Sequence, residues 1–199
     1  MKIEYFQAGG ATMKLKAPAG SGAKTGWTAL MALIMGLILN APFASASPAG
    51  VAAGLDAGSV DGLIRALYES ISFSEGRSPD WALFRSLFAS ASSPCVRLSS
   101  DGVRVMDRES FIAFFGERIA QGTMKSFAER EVARTTESYG GLVQVFSTYE
   151  KRMNLADPGK PVRGINGFQL FFKDGRWWIA SLVWQDELPA LPIPPEYSK

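Results

Sequence analysis

Arg163-Gly-Ile-Asn-Gly-Phe-Gln-Leu-Phe-Phe-Lys-Asp-Gly-Arg-Trp-Trp-Ile-Ala-Ser-Leu-Val-Trp-Gln-Asp186 is two runs of aromatic and aliphatic residues around Asp174-Gly175. Asp-Gly between such runs is a strong short-range sign of a β-hairpin, because both residues tolerate the positive φ of a type I′ turn. A two-residue loop sets Lys173 opposite Arg176, Phe172 opposite Trp177, Leu170 opposite Ile179 and Phe168 opposite Ser181. It also sets Asn166 opposite Val183 and Arg163 opposite Asp186. One face then carries Asn166, Phe168, Leu170, Phe172, Trp177, Ile179 and Val183. The other carries Ile165, Gln169, Phe171, Trp178, Leu182 and Trp184. Both faces are apolar, so both are expected to be covered.

Upstream, Phe127 to Glu137 and Leu142 to Arg152 read as two more long strands about the turn Tyr139-Gly140-Gly141. Alternation puts Val143, Val145, Ser147 and Tyr149 on one side of the second of these. Further upstream the period changes. Val60, Leu63, Ile64, Leu67 and Ile71 fall at helical spacing, and Ser78-Pro79-Asp80 opens a second helix with Trp81, Phe84, Leu87 and Phe88 on its apolar face. Val96-Arg97-Leu98 and Val103-Arg104-Val105 form a short hairpin about Ser100-Asp101-Gly102. Asp107 caps a third helix, and Gly122 ends it.

The chain has 199 residues, of which 47% are hydrophobic, enough for one core beside some extra segments. It carries a formal charge of +2 and no histidine. Lys2, Lys14, Lys16 and Lys24 against the lone Glu4 account for that excess, so the chain from Ser47 onward is close to neutral. Neither nucleic acid nor an anionic membrane is expected as a partner. The absent histidine removes Ser-His-Asp and Cys-His catalysis, imidazole metal sites and imidazole acid/base chemistry together. No metal and no cofactor is expected. Cys95, the single cysteine, reads as a small buried hydrophobe.

Residues 1–46 read as a secretory signal peptide: lysines, the apolar run Trp27 to Leu39, then Ala44-Ser45-Ala46 before the cut. Met13-Lys14-Leu15-Lys16 would be a more ordinary start for it. The alternative is an uncleaved anchor, although the run is shorter than the about 20 residues of a membrane span. Residues 47–58 are a flexible linker, 59–187 the domain and 188–199 a proline-rich tail. The mature chain is expected in the periplasm or outside the cell.

Helices followed by long antiparallel strands give an α+β fold, a cone-shaped roll of curved antiparallel sheet packed on three N-terminal helices. Phe146-Ser-Thr-Tyr-Glu150, Arg163-Gly-Ile-Asn166 and Asp174-Gly-Arg-Trp-Trp-Ile179, with Asp80-Trp81 and the Phe84, Leu87, Phe88 pattern, resemble the nuclear transport factor 2-like (SnoaL-like) superfamily. The resemblance spans Ser59 to Glu187. It implies the cystatin-like cone. Enzymes of that superfamily include ketosteroid isomerase, scytalone dehydratase and SnoaL-like cyclases, which use Asp, Tyr and His inside the cone. Here histidine is missing, and the isomerase's Tyr and paired Asp have no matching positions, so no catalytic residue is carried over.

The expected function is therefore an exported small-molecule-binding or interaction domain. The alternative is a small lyase or isomerase using carboxylate or tyrosine chemistry on an apolar substrate. Tyr68, Trp81, Phe84, Tyr149 and Asn166 are the expected lining of the cone. Asn166 either orients a ligand or bonds to a nearby loop or helix end. Arg163 and Asp186 are an expected cross-strand ion pair. Arg130, Glu131, Arg134, Tyr149 and Glu150 form a polar group that is either a solvated strand face or the seat of a general base. Ile165, Leu182 and Trp184 are expected at a homodimer interface through the sheet, with the tail from Leu188 as the competing cover. The export reading predicts that N-terminal sequencing of exported protein begins at Ser47, and full-length protein held in the membrane would refute it.

Overall fold

The Asp174-Gly175 turn forms as the sequence requires: both residues have positive φ, 54° and 78°. It joins β5 (Val162–Lys173) to β6 (Arg176–Asp186) in the structure, a computed structural model that describes residues 56–198. Residues 1–46, expected to be a signal peptide, and most of the expected linker lie outside the described residues. Linker residues 56–58 already belong to the fold. Ala57 is buried, and its carbonyl accepts the Trp177 N–H at 2.8 Å.

Ahead of the hairpin come α1 (Val60–Ile71), α2 (Trp81–Leu87), β1 (Pro94–Ser99), β2 (Gly102–Asp107), α3 (Arg108–Ala120), β3 (Phe127–Tyr139) and β4 (Leu142–Met153). Each helix begins at an oxygen-bearing side chain. Ser59 accepts from Gly62 N–H at 3.0 Å, Asp80 from Leu83 at 2.8 Å and Asp107 from Ser110 at 2.7 Å. Such caps stabilise a helix by about 1 kcal/mol each. Pro79 precedes the Asp80 cap rather than sitting in the first turn.

The strands form one open sheet in the order β2-β1-β6-β5-β4-β3. It is mixed rather than wholly antiparallel, because β1 runs parallel to β6 with Cys95 opposite Leu182. The helices pack on one face. The core there includes Leu63, Ile64, Leu67, Phe84, Leu87, Val145, Phe168, Leu170 and Ile179. Cys95 is fully buried in it, and desolvation pushes its thiol up to about 12.

The hairpin register holds from the turn to Leu170 opposite Ile179, then slips. Ala180 is an extra residue, so Gln169 faces Ser181, Phe168 faces Leu182, Asn166 faces Trp184 and Gly164 faces Asp186. A bulge of this kind flips every later side chain to the opposite face. Leu182 and Trp184 therefore lie on the helix side rather than at an outer interface. Leu182 is in the core, and the Trp184 ring meets Phe111 edge-on at 5.6 Å. Of the three residues expected at a dimer interface, Ile165 alone is on the outer face. That face carries the tail. Tyr197 stacks on Phe146 at 5.6 Å and its carbonyl accepts from the Thr148 hydroxyl. Leu191 to Pro194 stand over Phe146, Ile165 and Val183 across a groove of ≈ 390 Å³.

Gly164 is required where β5 passes beneath the Tyr149 ring. A Cβ there would lie 2.2 Å from the Tyr149 hydroxyl and 2.5 Å from the Gln185 carbonyl. Gly164→Ala is expected to lower unfolding stability by about 3 kcal/mol, measured by urea titration. A loss below about 0.5 kcal/mol would show that the ring can move aside.

Candidate functional site

A cavity of ≈ 230 Å³ lies between the helices and the inner face of the sheet. Leu67, Ile71, Phe84, Phe111, Phe115 and Met124 give it an apolar floor, and Leu182 and Trp184 give it a wall. Trp184 reaches this wall because of the Ala180 bulge. Val162 and Met153 are 46% and 42% exposed, which places them at the mouth. The polar lining comes from the strands: Arg97, Glu129, Lys151, Asn166 and Asp186, with Arg118 from α3.

The strand parities bring the polar groups together. Glu129 and Glu131 on β3 pair with Lys151 and Tyr149 on β4, all on the inner face. An extra residue at Val132 then keeps Arg134 on that face, opposite Ser147. Arg134 binds Glu131 with Nε at 2.8 Å and Nη2 at 2.6 Å, and also pairs with Asp61 of α1. Ser147 donates to Glu131 at 2.6 Å. Tyr68 of α1 lies 2.7 Å from Ser147, and since the serine proton is committed to Glu131, the tyrosine is the donor. Asn166 Nδ2 donates to Tyr68 at 3.1 Å and to Glu129 at 2.9 Å. The polarity of the whole chain is thus fixed from Asn166 to Glu131. Beside it, Tyr149 and Lys151 both donate to Asp186.

The carboxylates on either side of Glu129 each have a cation: Arg134 for Glu131 and Lys151 for Asp186. Glu129 has only the Asn166 amide as a direct side-chain partner. Burial is the largest influence on it and raises its carboxyl from 4.5 to about 7, against the pull of Lys151 and the Asn166 bond. Burial likewise raises the Tyr68 and Tyr149 phenols well above the usual tyrosine range, and both stay protonated as donors. A carboxyl poised near neutrality beside an apolar cavity can take or give a proton at an enclosed molecule.

Among the expected pocket residues, Phe84 and Asn166 line the cavity. Tyr68 and Tyr149 stand behind its wall and orient Asn166 and Asp186. Trp81 lies outside, edge-on to Phe84 at 5.7 Å and to Phe115 at 5.9 Å. The polar strand group divides. Glu131, Arg134 and Tyr149 face inward, whereas Arg130 and Glu150 pair at 2.8 Å on the outer side. Asp186 faces Gly164 and pairs with Lys151, not Arg163. Glu129 and Lys151 were legible in principle, as each is two residues from an inward neighbour. Asp186 was hidden by the bulge. Among the described residues no group of three Cys, Asp or Glu is placed to hold a metal ion.

An open sheet with α-helices on one face and a cavity between them defines the cystatin-like, nuclear transport factor 2-like α+β fold. Among the solved structures that share it at low sequence identity are two proteins of unknown function. One is a protein of unknown function with a cystatin-like fold from Nostoc punctiforme, 13% identical, with a TM-score of 0.51, covering 70% of this chain and 96% of that one. The other is a nuclear transport factor 2-like protein of unknown function from Pseudomonas putida, 11% identical, with a TM-score of 0.50, covering 70% and 89%. No family model and no curated protein matches the sequence. The likeness is one of fold.

The Glu129 carboxyl sets a pH dependence. Between about pH 4.5 and 7 the unfolded chain releases this proton before the folded chain does, so stability falls as pH rises through that window. Glu129→Gln keeps an acceptor for Asn166 and cannot ionise. It is expected to abolish this slope and to be more stable than the parent near pH 8 by up to about 3 kcal/mol. Urea unfolding across the pH range reads both. An unchanged slope would mean that Glu129 titrates like an exposed carboxylate.

Proposed function

We propose that the domain binds a small, mostly apolar molecule in the cavity between helices and sheet. One observation carries the reading: the cavity has an apolar floor of Leu67, Phe84, Phe111 and Phe115, while its few polar groups gather on one wall around Glu129, Asn166 and Asp186. An apolar body would be held by burial, and the wall would fix its orientation. At ≈ 230 Å³ the space suits a ring with a short side chain rather than a lipid or a steroid. With the signal segment read as cleaved, this binding takes place outside the cytoplasm.

A second reading is favoured by Glu129 alone. A carboxyl with a pKa of about 7, facing an enclosed apolar space, suits proton transfer in an isomerase or lyase reaction. In that case Glu129→Gln would lose at least about a hundredfold in rate while ligand still binds.

Thermal-shift screening against compact lipophilic metabolites tests the binding reading. A bound ligand should raise Tm, and Val162→Trp, which fills the half-exposed mouth without touching the floor, should remove the shift. A shift that survives Val162→Trp would place the ligand elsewhere, and the absence of any shift would reject the pocket as a binding site.

A further inference from the structure

Two arginines flank the ring of Phe114, which lines the cavity, and a third, Arg97, lines the same cavity. Arg97 on β1 lies directly opposite Arg104 on β2, and like charges in that position weaken a strand pair. The Arg104 guanidinium stands 5.3 Å from the centre of the Phe114 ring, and that of Arg118 5.6 Å. None of the three has a carboxylate partner among the described residues. Elsewhere the cavity's charges are matched: Lys151 is neutralised by Asp186, and Glu129 is held near half-protonation at neutral pH. The mouth therefore carries a positive excess that no side chain among the described residues offsets.

Arg118 is the most telling of the three. Its Nε is buried and has no hydrogen-bond partner. Its Nη2, on the same edge of the guanidinium, meets only the Met153 sulfur at 3.3 Å. A thioether is a weak acceptor, and Met153 is half exposed. This edge presents two parallel N–H groups with no oxygen partner, the fork that a planar carboxylate fills.

We infer that the ligand is a small amphipathic carboxylate. Its acid group takes the free edge of Arg118 in place of the Met153 sulfur, with Arg97 beside it, and its apolar body lies against Phe84, Phe111 and Leu182. The inference rests on the cavity being a binding site and adds the charge of the molecule it takes. A buried Nε–H without an acceptor is costly to the fold, and a bound carboxylate supplies the missing acceptor.

The test compares 4-phenylbutyrate with 4-phenylbutan-1-ol, which has the same body and no charge, by calorimetry on the full chain. The acid should bind at least about tenfold more tightly than the alcohol, and the difference should shrink as salt is added. Arg118→Gln should bring the two close to parity, with the acid losing far more affinity than the alcohol. Arg97→Gln, on a partly exposed strand position, should reduce the preference even if Arg118→Gln folds poorly. Equal binding of acid and alcohol, or a preference that survives both variants, would overturn the carboxylate inference and leave the binding reading standing. No binding of either probe, with no shift from the lipophilic panel, would overturn both.

Discussion

The extra residue at Ala180 is the constraint on which the rest of the inner face depends. With regular pairing, Leu182, Trp184 and Asp186 would point away from the helices. The bulge turns all three inward. Leu182 then fills the core against Phe168, Trp184 closes the cavity against Phe111, and Asp186 meets Tyr149 and Lys151. The same slip leaves Gly164 beside Asp186, which opens the space that the Tyr149 ring occupies. One inserted alanine thus supplies the hydrophobic wall, the acid and the room for its partner.

The buried polar groups form an ordered chain rather than scattered pairs. A buried polar atom without a partner costs about 1–3 kcal/mol, so a half-satisfied network would be worse than an apolar core. Here Asn166, Tyr68 and Ser147 pass hydrogen bonds in one direction to Glu131, which Arg134 meets from the other side as a second donor. Tyr68 brings α1 into the chain, so the helix is fixed to β4 and β5 by polar contacts as well as by Leu63, Ile64 and Leu67. Among the described residues one buried side-chain atom is left without a partner, the Nε of Arg118, and it borders the cavity together with the raised carboxyl of Glu129, which has the Asn166 amide but no cation bound to it.

Features governed by neighbouring residues were legible in the sequence. The Asp174-Gly175 turn, the capping serine and aspartates, the helix at Val60 and the inward parity of β4 follow from local rules. Asn166 and Phe84 could be placed in the pocket because one is polar among apolar neighbours and the other sits on a helix stripe. The register beyond Ala180 was not legible. Alternation fixes a register only where one face is polar, and this hairpin is apolar on both. Alanine carries no mark of a bulge. The parallel pairing of β1 with β6 joins segments far apart in the chain, with nothing local to announce it. No local rule relates Arg104 to Arg118, and only the fold brings both to the Phe114 ring, with Arg97 paired across from Arg104.

That parallel pairing also fixes when the domain can assemble. Cys95 finds its neighbour in Leu182, Ala89 donates to Ile179, and Ala57 accepts from Trp177, so the first elements of the domain are each tied to its last strand. Contacts of such long sequence separation form late, because the loop between them must close first. A chain emerging from the ribosome offers α1, α2 and β1 no completed surface until Asp186 has been made. The topology implies that the domain is expected to fold as one unit once its final strand is available.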